Sequence, residues 1–83
     1  MARLLYFAHL RERAGTAQET IKLPPHVKTG RHLLKWLSEQ RPELAEILAN
    51  GKVRLALDQE LASLDSEIGT AGEIALFPPM TGG

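Results

Sequence analysis

Apolar positions recur along this chain with two different periods. Residues 3–8 form a short apolar run that includes Tyr6 and Phe7, which predicts a strand buried on both faces or nearly so. Residues 10–14 are polar and helix-tolerant, and Gly15 stands where a helix would stop in a left-handed conformation. Glu19-Thr20-Ile21-Lys22-Leu23 alternates with period two and predicts a half-buried strand, ended by Pro24-Pro25. The two predicted strands fit a hairpin with a long connection. The period then changes to that of a helix. Thr29 is a candidate N-cap, Leu33, Leu34 and Leu37 share one stripe with Trp36 at its edge, and Lys28, Arg31, His32 and Lys35 lie towards the other side. Pro42 breaks this helix or opens a new turn at its first position, and Leu44, Ile47 and Leu48 are spaced for one face before Asn50-Gly51 closes the segment.

The remainder reads as extended pieces and turns. Residues 53–57 predict a strand, 58–60 a turn, 61–64 a short strand, 65–69 a turn of α- or 3₁₀-helix, 70–72 a turn and 73–77 the last strand. Strands on both sides of one main helix predict an α+β domain with the helix laid across one face of a mixed sheet. The first and last strands are the most apolar, which predicts central, adjacent and parallel positions. That is the β-grasp, or ubiquitin-like, arrangement. Residues 1–77 form the domain. Residues 78–83 form a flexible tail, since Pro78-Pro79 cannot continue a ladder and nothing beyond Gly82-Gly83 is there to pack against.

Composition narrows the chemistry. With 83 residues the chain makes one domain, and with a formal net charge of zero it lacks the basic surface expected of a nucleic-acid-binding protein. It has no cysteine, hence no disulfide, thiolate nucleophile or cysteine-based metal site. His9, His26 and His32 are scattered, and Asp58, Glu60, Asp65 and Glu67 lack the spacing of a calcium loop, so these polar residues read as solvated surface and turns. Ser38, Ser63 and Ser66 carry no nucleophile signature, and no glycine-rich phosphate loop is present. The Lys28, Arg31, Lys35 stripe is either a solvated face or a docking patch for an acidic partner. The apolar run at the start is too short for a signal segment, and no stretch approaches a membrane span, which predicts a cytoplasmic protein with no bound cofactor and no metal.

The tail is the remaining feature. At average glycine usage a terminal Gly-Gly pair arises by chance in about one chain in 200, so the pair alone says little. Its setting says more. A last strand ends at Phe77, two prolines project the chain outwards, and Gly82-Gly83 follow after Met80 and Thr81. Residues without side chains thread a channel where any Cβ would clash, and they deliver the α-carboxylate of Gly83. A carboxylate is a poor electrophile, but an ATP-dependent partner can adenylate it and a sulfur donor can convert it to a thiocarboxylate. The partner would then supply the catalytic groups that this chain lacks.

Two segments carry a family resemblance. Phe7-Ala8-His9-Leu10-Arg11-Glu12-Arg13-Ala14-Gly15 matches a pattern F-A-x-x-R-E-x-x-G, and Phe77-Pro78-Pro79-Met80-Thr81-Gly82-Gly83 matches F-P-P-x-x-G-G. The chain thereby resembles the family of molybdopterin synthase small subunits, the MoaD family, over essentially its whole length. Leu57-Asp58-Gln59 departs from it, standing where the family often has an asparagine-containing turn. The resemblance implies a β-grasp fold and a non-catalytic carrier subunit of a sulfurtransferase complex. It implies a transient acyl-adenylate on Gly83, made from ATP by an adenylyltransferase like the ubiquitin-activating enzymes. A sulfur donor protein would then leave a thiocarboxylate. Sulfur would pass to cyclic pyranopterin monophosphate in the pocket of the large synthase subunit, within a heterotetramer. It further implies that Phe7, Leu61 and Phe77 form an apolar docking patch beside the tail residues Pro78, Pro79, Met80, Thr81 and Gly82, although the chain's own pattern leaves Phe7 open between core and interface. Other readings in the same chemistry are a carrier for thiamine or tRNA thiolation, and a ubiquitin-like modifier joined through Gly83 to lysines. A plain binding module with an inert tail is the fourth reading.

Overall fold

A computed structural model of the protein describes residues 1–49, 52–69 and 71–78. The chain order is β1 (Ala2–Tyr6), α1 (Ala8–Ala14), β2 (Gln18–Ile21), α2 (Gly30–Gln40), α3 (Pro42–Ala49), β3 (Arg54–Leu57), β4 (Glu60–Ala62) and β5 (Glu73–Phe77). The five strands form one sheet in the order β2-β1-β5-β3-β4. The pair β1–β5 is parallel, from Arg3 opposite Glu73 to Tyr6 opposite Leu76, and the other pairs are antiparallel. The first and last strands are therefore central, adjacent and parallel, and the fold is a β-grasp.

Strand alternation divides the sheet into two faces. Leu4, Tyr6, Leu55, Ile74 and Leu76 point into the core with Leu10 of α1, Leu33, Leu34 and Leu37 of α2, and Leu44 and Leu48 of α3. Arg3, Leu5, Arg54, Ala56, Glu73, Ala75 and Phe77 occupy the alternate positions and face away from the helices. β1 is thus not buried on both faces as its apolar run suggests: Arg3 is exposed and Leu5 is half-buried. Its strand also ends at Tyr6, because Phe7 leaves the ladder to start α1.

Helix boundaries follow local chemistry. The Thr29 side chain accepts a hydrogen bond from the His32 backbone N–H at 3.2 Å, satisfying one unpaired donor of the α2 N-terminus. Pro42 supplies the first residue of α3, so the long helical region is two helices joined at Arg41. Gly15 ends α1 with φ +76°, a conformation that a β-carbon disfavours. Residues 65–69 do not form the helical turn that their composition suggests. Glu67 instead bridges to Thr29, and the Ser66 and Leu64 carbonyls accept from the Gly30 and Arg31 N–H groups at 3.2 and 2.7 Å. The segment turns at Leu64-Asp65, where the Ser66 N–H donates to the Ser63 carbonyl at 3.1 Å, and it caps the first turn of α2. The expected closure at Asn50-Gly51 lies outside the described residues.

One polar network ties this layer together. Arg41, at the α2–α3 junction, donates to both Glu19 carboxylate oxygens at 2.9 and 3.0 Å and to Glu43 at 3.1 Å. The Tyr6 hydroxyl donates to the same Glu19 carboxylate. Hydrogen bonding from Arg41 holds the Glu19 carboxyl below its ordinary pKa, against the opposing effect of burial, and Tyr6 adds to the lowering. Burial, followed by the Glu19 carboxylate, pushes the Tyr6 phenol above its ordinary value.

Two outcomes follow. A carboxyl whose pKa is depressed by folding contributes stability above its unfolded pKa and loses it as pH falls through the folded value. Glu19→Gln is therefore expected to be less stable than the parent by about 1–3 kcal/mol near neutral pH. In urea titrations the two proteins converge as pH falls below about 4.5. At Gly30 a β-carbon would collide with the buried Leu55 side chain and lie 3.2 Å from the Leu64 carbonyl oxygen. Gly30→Ala is expected to lower stability by about 1–3 kcal/mol by overpacking, read from the shift in denaturant midpoint.

Candidate functional site

The face of the sheet turned away from the helices carries the candidate site. Across it run Leu5, Ala75, Ala56 and Leu61, aligned by the registers Leu5 opposite Ala75, Ala75 opposite Ala56 and Ala56 opposite Leu61. The two alanines are nearly covered by their neighbours and take no part in the helix-side core, so they form the floor of this strip. Leu61 lies on the short edge strand β4 with 75% of its surface exposed. Alone an exposed leucine is ordinary, but at the border of the Leu5, Ala75, Ala56 strip it extends an apolar surface that suits docking.

Phe7 and Phe77 lie at the end of this face where β5 runs out. The parallel register places Tyr6 opposite Leu76, and one residue further on the Phe7 and Phe77 rings stack with centroids 4.7 Å apart and planes 13° from parallel. Phe77 is half-buried, whereas Phe7 keeps 41% of its surface exposed. Phe7 is therefore a surface residue and not part of the core. Local backbone explains its position. Phe7 is extended, with φ −120° and ψ 152°, and its N–H donates to the Leu76 carbonyl at 3.2 Å. Ala8 then takes φ +50°, a left-handed value that costs an L-residue about 1 kcal/mol or more, and turns the chain into α1. Sequence pattern alone gave no signal for this reversal.

The base of β5 is held as firmly as its end. Asp58 and Gln59 form the β3–β4 turn with φ of +49° and +74°, the pair of positive values expected of a tight hairpin turn. The Asp58 carboxylate accepts from the Gly72 and Glu73 N–H groups, both at 3.0 Å, and the Asp58 N–H donates to the Glu73 carbonyl at 2.9 Å. An aspartate here meets the demands of the turn and anchors the start of the strand that leads to the tail. Pro78 is buried. Pro79, Met80, Thr81, Gly82 and Gly83, the other tail residues singled out from the sequence, lie outside the described residues.

The remaining polar candidates do not converge. His9, His26 and His32 are exposed and belong to no shared cluster of metal-ligating groups among the described residues, and His32 accepts a hydrogen bond from the Lys28 N–H at 3.4 Å. No group of three or more metal-ligating side chains occurs among the described residues. No helix among them is long and apolar enough to cross a membrane. In the basic stripe of α2, Arg31 pairs with Asp65 at 3.3 Å.

A sequence model of the ThiS family matches residues 4–83. The chain is 35% identical to a molybdopterin synthase sulfur carrier subunit of Haemophilus influenzae and 34% identical to that of Escherichia coli. Both alignments cover the full length of both chains. Among solved structures it is similar to SAMP1 from Haloferax volcanii, with a TM-score of 0.73 and 25% identity over 99% of this chain and 98% of that one.

Because Phe7 and Leu61 are exposed, Phe7→Ala and Leu61→Ala are expected to change stability by less than about 1 kcal/mol. Leu76→Ala, in the core beneath them, should cost about 2–5 kcal/mol. Thermal melts of the three variants measure the contrast.

Proposed function

We propose, from the fact that this chain belongs to the ThiS family, that it is the sulfur-carrier subunit of a molybdopterin synthase. Full-length similarity to carriers of that name supports the synthase reading. The observation that carries it is the exposed Phe7–Phe77 stack at the root of a tail that ends in Gly82-Gly83. Gly83 lies six positions beyond Phe77, which allows a reach of about 20 Å when extended. A partner that grips the apolar face can therefore receive the terminal carboxylate in a pocket well removed from the gripping surface.

The chemistry divides between the chain and its partners. The chain supplies one reacting group, the Gly83 carboxylate. An adenylating partner joins a carboxylate oxygen to the α-phosphate of ATP and releases pyrophosphate. The terminal sulfur of a persulfide on a sulfur donor protein then displaces AMP at the acyl carbon. Attack of a second thiol on the donor's own sulfur breaks the sulfur–sulfur bond, leaving a disulfide on the donor side and a terminal thiocarboxylate on Gly83. That sulfur is a soft nucleophile at neutral pH, and in the large synthase subunit it is passed to cyclic pyranopterin monophosphate. The chain's residues act before and after these steps. Phe7, Leu61 and Phe77 dock the partner by excluding water from apolar surface. Pro78 and Pro79 stiffen the exit. Met80 and Thr81 line the approach to the partner's channel, and Gly82 and Gly83 pass through it, where only residues without side chains fit. Binding energy collected on the sheet face thereby positions a group that is remote from it.

Deletion of Gly83, or addition of one residue after it, is expected to abolish sulfur transfer while leaving the thermal melt unchanged. Intact-mass analysis after incubation with the activating enzyme, ATP and a sulfur source should show one oxygen replaced by sulfur at Gly83 in the parent only. Molybdopterin formation with the large subunit then separates this role from thiamine or tRNA thiolation. Lysine-linked adducts in place of the thiocarboxylate would point to a protein modifier, and an extended chain that still transferred sulfur would overturn the tail mechanism.

A further inference from the structure

Arg54 lies on the open face beside the aromatic pair. It is directly opposite Phe77 in the antiparallel β3–β5 register, and its neighbours Val53 and Leu55 are both in the helix-side core, so its own side chain projects from the open face. The row Arg54, Phe77, Phe7 thus crosses the sheet at the tail exit. Arg54 is exposed and makes no ion pair among the described residues. Three other arginines are paired. Arg3, on the same face, is neutralised by Glu73 at 2.9 Å, Arg31 pairs with Asp65, and Arg41 is held by Glu19 and Glu43. Among the described residues Arg54 is therefore an unpaired cation of the open face, set at the margin of its apolar surface.

A partner that covers Phe7 and Phe77 must bring its own rim over this guanidinium. Covering it without an acceptor leaves a partly desolvated charge, which is unfavourable. A carboxylate there gives a charge-assisted, bidentate pair that fixes orientation and accelerates encounter. We propose that Arg54 is a specificity-determining contact of the docking face, paired in the complex with an acidic side chain at the rim of the large synthase subunit's apolar cleft. The assignment rests on the docking reading given under Proposed function.

Association of the full chain with the purified large subunit of the same organism's synthase, followed by stopped flow across a range of ionic strength, tests the assignment. Arg54→Glu is expected to lower the on-rate about tenfold at low salt and to flatten or invert its salt dependence. Arg54→Lys should retain the on-rate to within about twofold, because the charge is kept. Phe7→Ala should act mainly by raising the off-rate. If Arg54→Glu associates as the parent does while Phe7→Ala binds weakly, the Arg54 contact is overturned and the docking face stands. If neither substitution alters binding, the docking face itself is wrong and the Arg54 contact falls with it. A lysine variant as slow as the glutamate variant, or a glutamate variant faster than the parent, also overturns the proposal. Matching thermal melts for all variants exclude misfolding as the cause.

Discussion

Parallel pairing of β1 with β5 is the constraint on which the rest of the structure depends. Both strands run the same way at the centre of the sheet, in the register that sets Tyr6 opposite Leu76, so both leave the sheet at the same end. The end of the first strand and the root of the tail are thereby neighbours, although 70 positions separate Arg3 from its ion-pair partner Glu73 in the chain. Parallel strands need a long crossover, and here α1, β2, α2, α3, β3 and β4 all lie within it. Helical cover of one face buries the hydrogen-bonded centre and leaves the other face open.

That asymmetry produces both stability and function. Leu4, Tyr6, Leu55, Ile74 and Leu76 spend their apolar surface against the helices, together with the leucines of α1, α2 and α3. The alternate positions on the same strands hold small residues, Ala56 and Ala75, with larger apolar groups at the margins in Leu61, Phe7 and Phe77. Small residues in the middle and large ones at the edge give a shallow surface with raised borders, which a complementary protein can cover. A single strand thus serves the core with one set of residues and the open face with the other.

The polar groups reinforce this division. Glu19, Arg41 and Tyr6 close the helix side at the β2 edge, where a half-buried carboxylate is satisfied from two directions. Asp58 holds the start of β5 through two backbone N–H groups. The strand that carries the tail is anchored at its base by hydrogen bonds and at its end by a stacked ring. The strand that leads to the tail is thus fastened at both ends.

Much of this was legible in the chain itself. Period-two and period-3.6 patterns located the strands and the α2 stripe, Thr29 and Pro42 marked helix starts, and Gly15 marked a helix end, because each depends on local backbone chemistry. The Phe77-to-Gly83 segment carried the family resemblance through its order of residue types alone. Tertiary structure decided the rest. It set residues 64–67 against the start of α2 as a cap, because carbonyls at Leu64 and Ser66 were needed by its first N–H groups. It turned Phe7 out onto Phe77 through a left-handed Ala8, and it exposed Arg54 without a partner on the same row. Sequence patterning determines which residues seek burial, but the side of the sheet left uncovered, and the company each residue keeps there, depends on strand register between distant segments, a long-range property that no local pattern encodes.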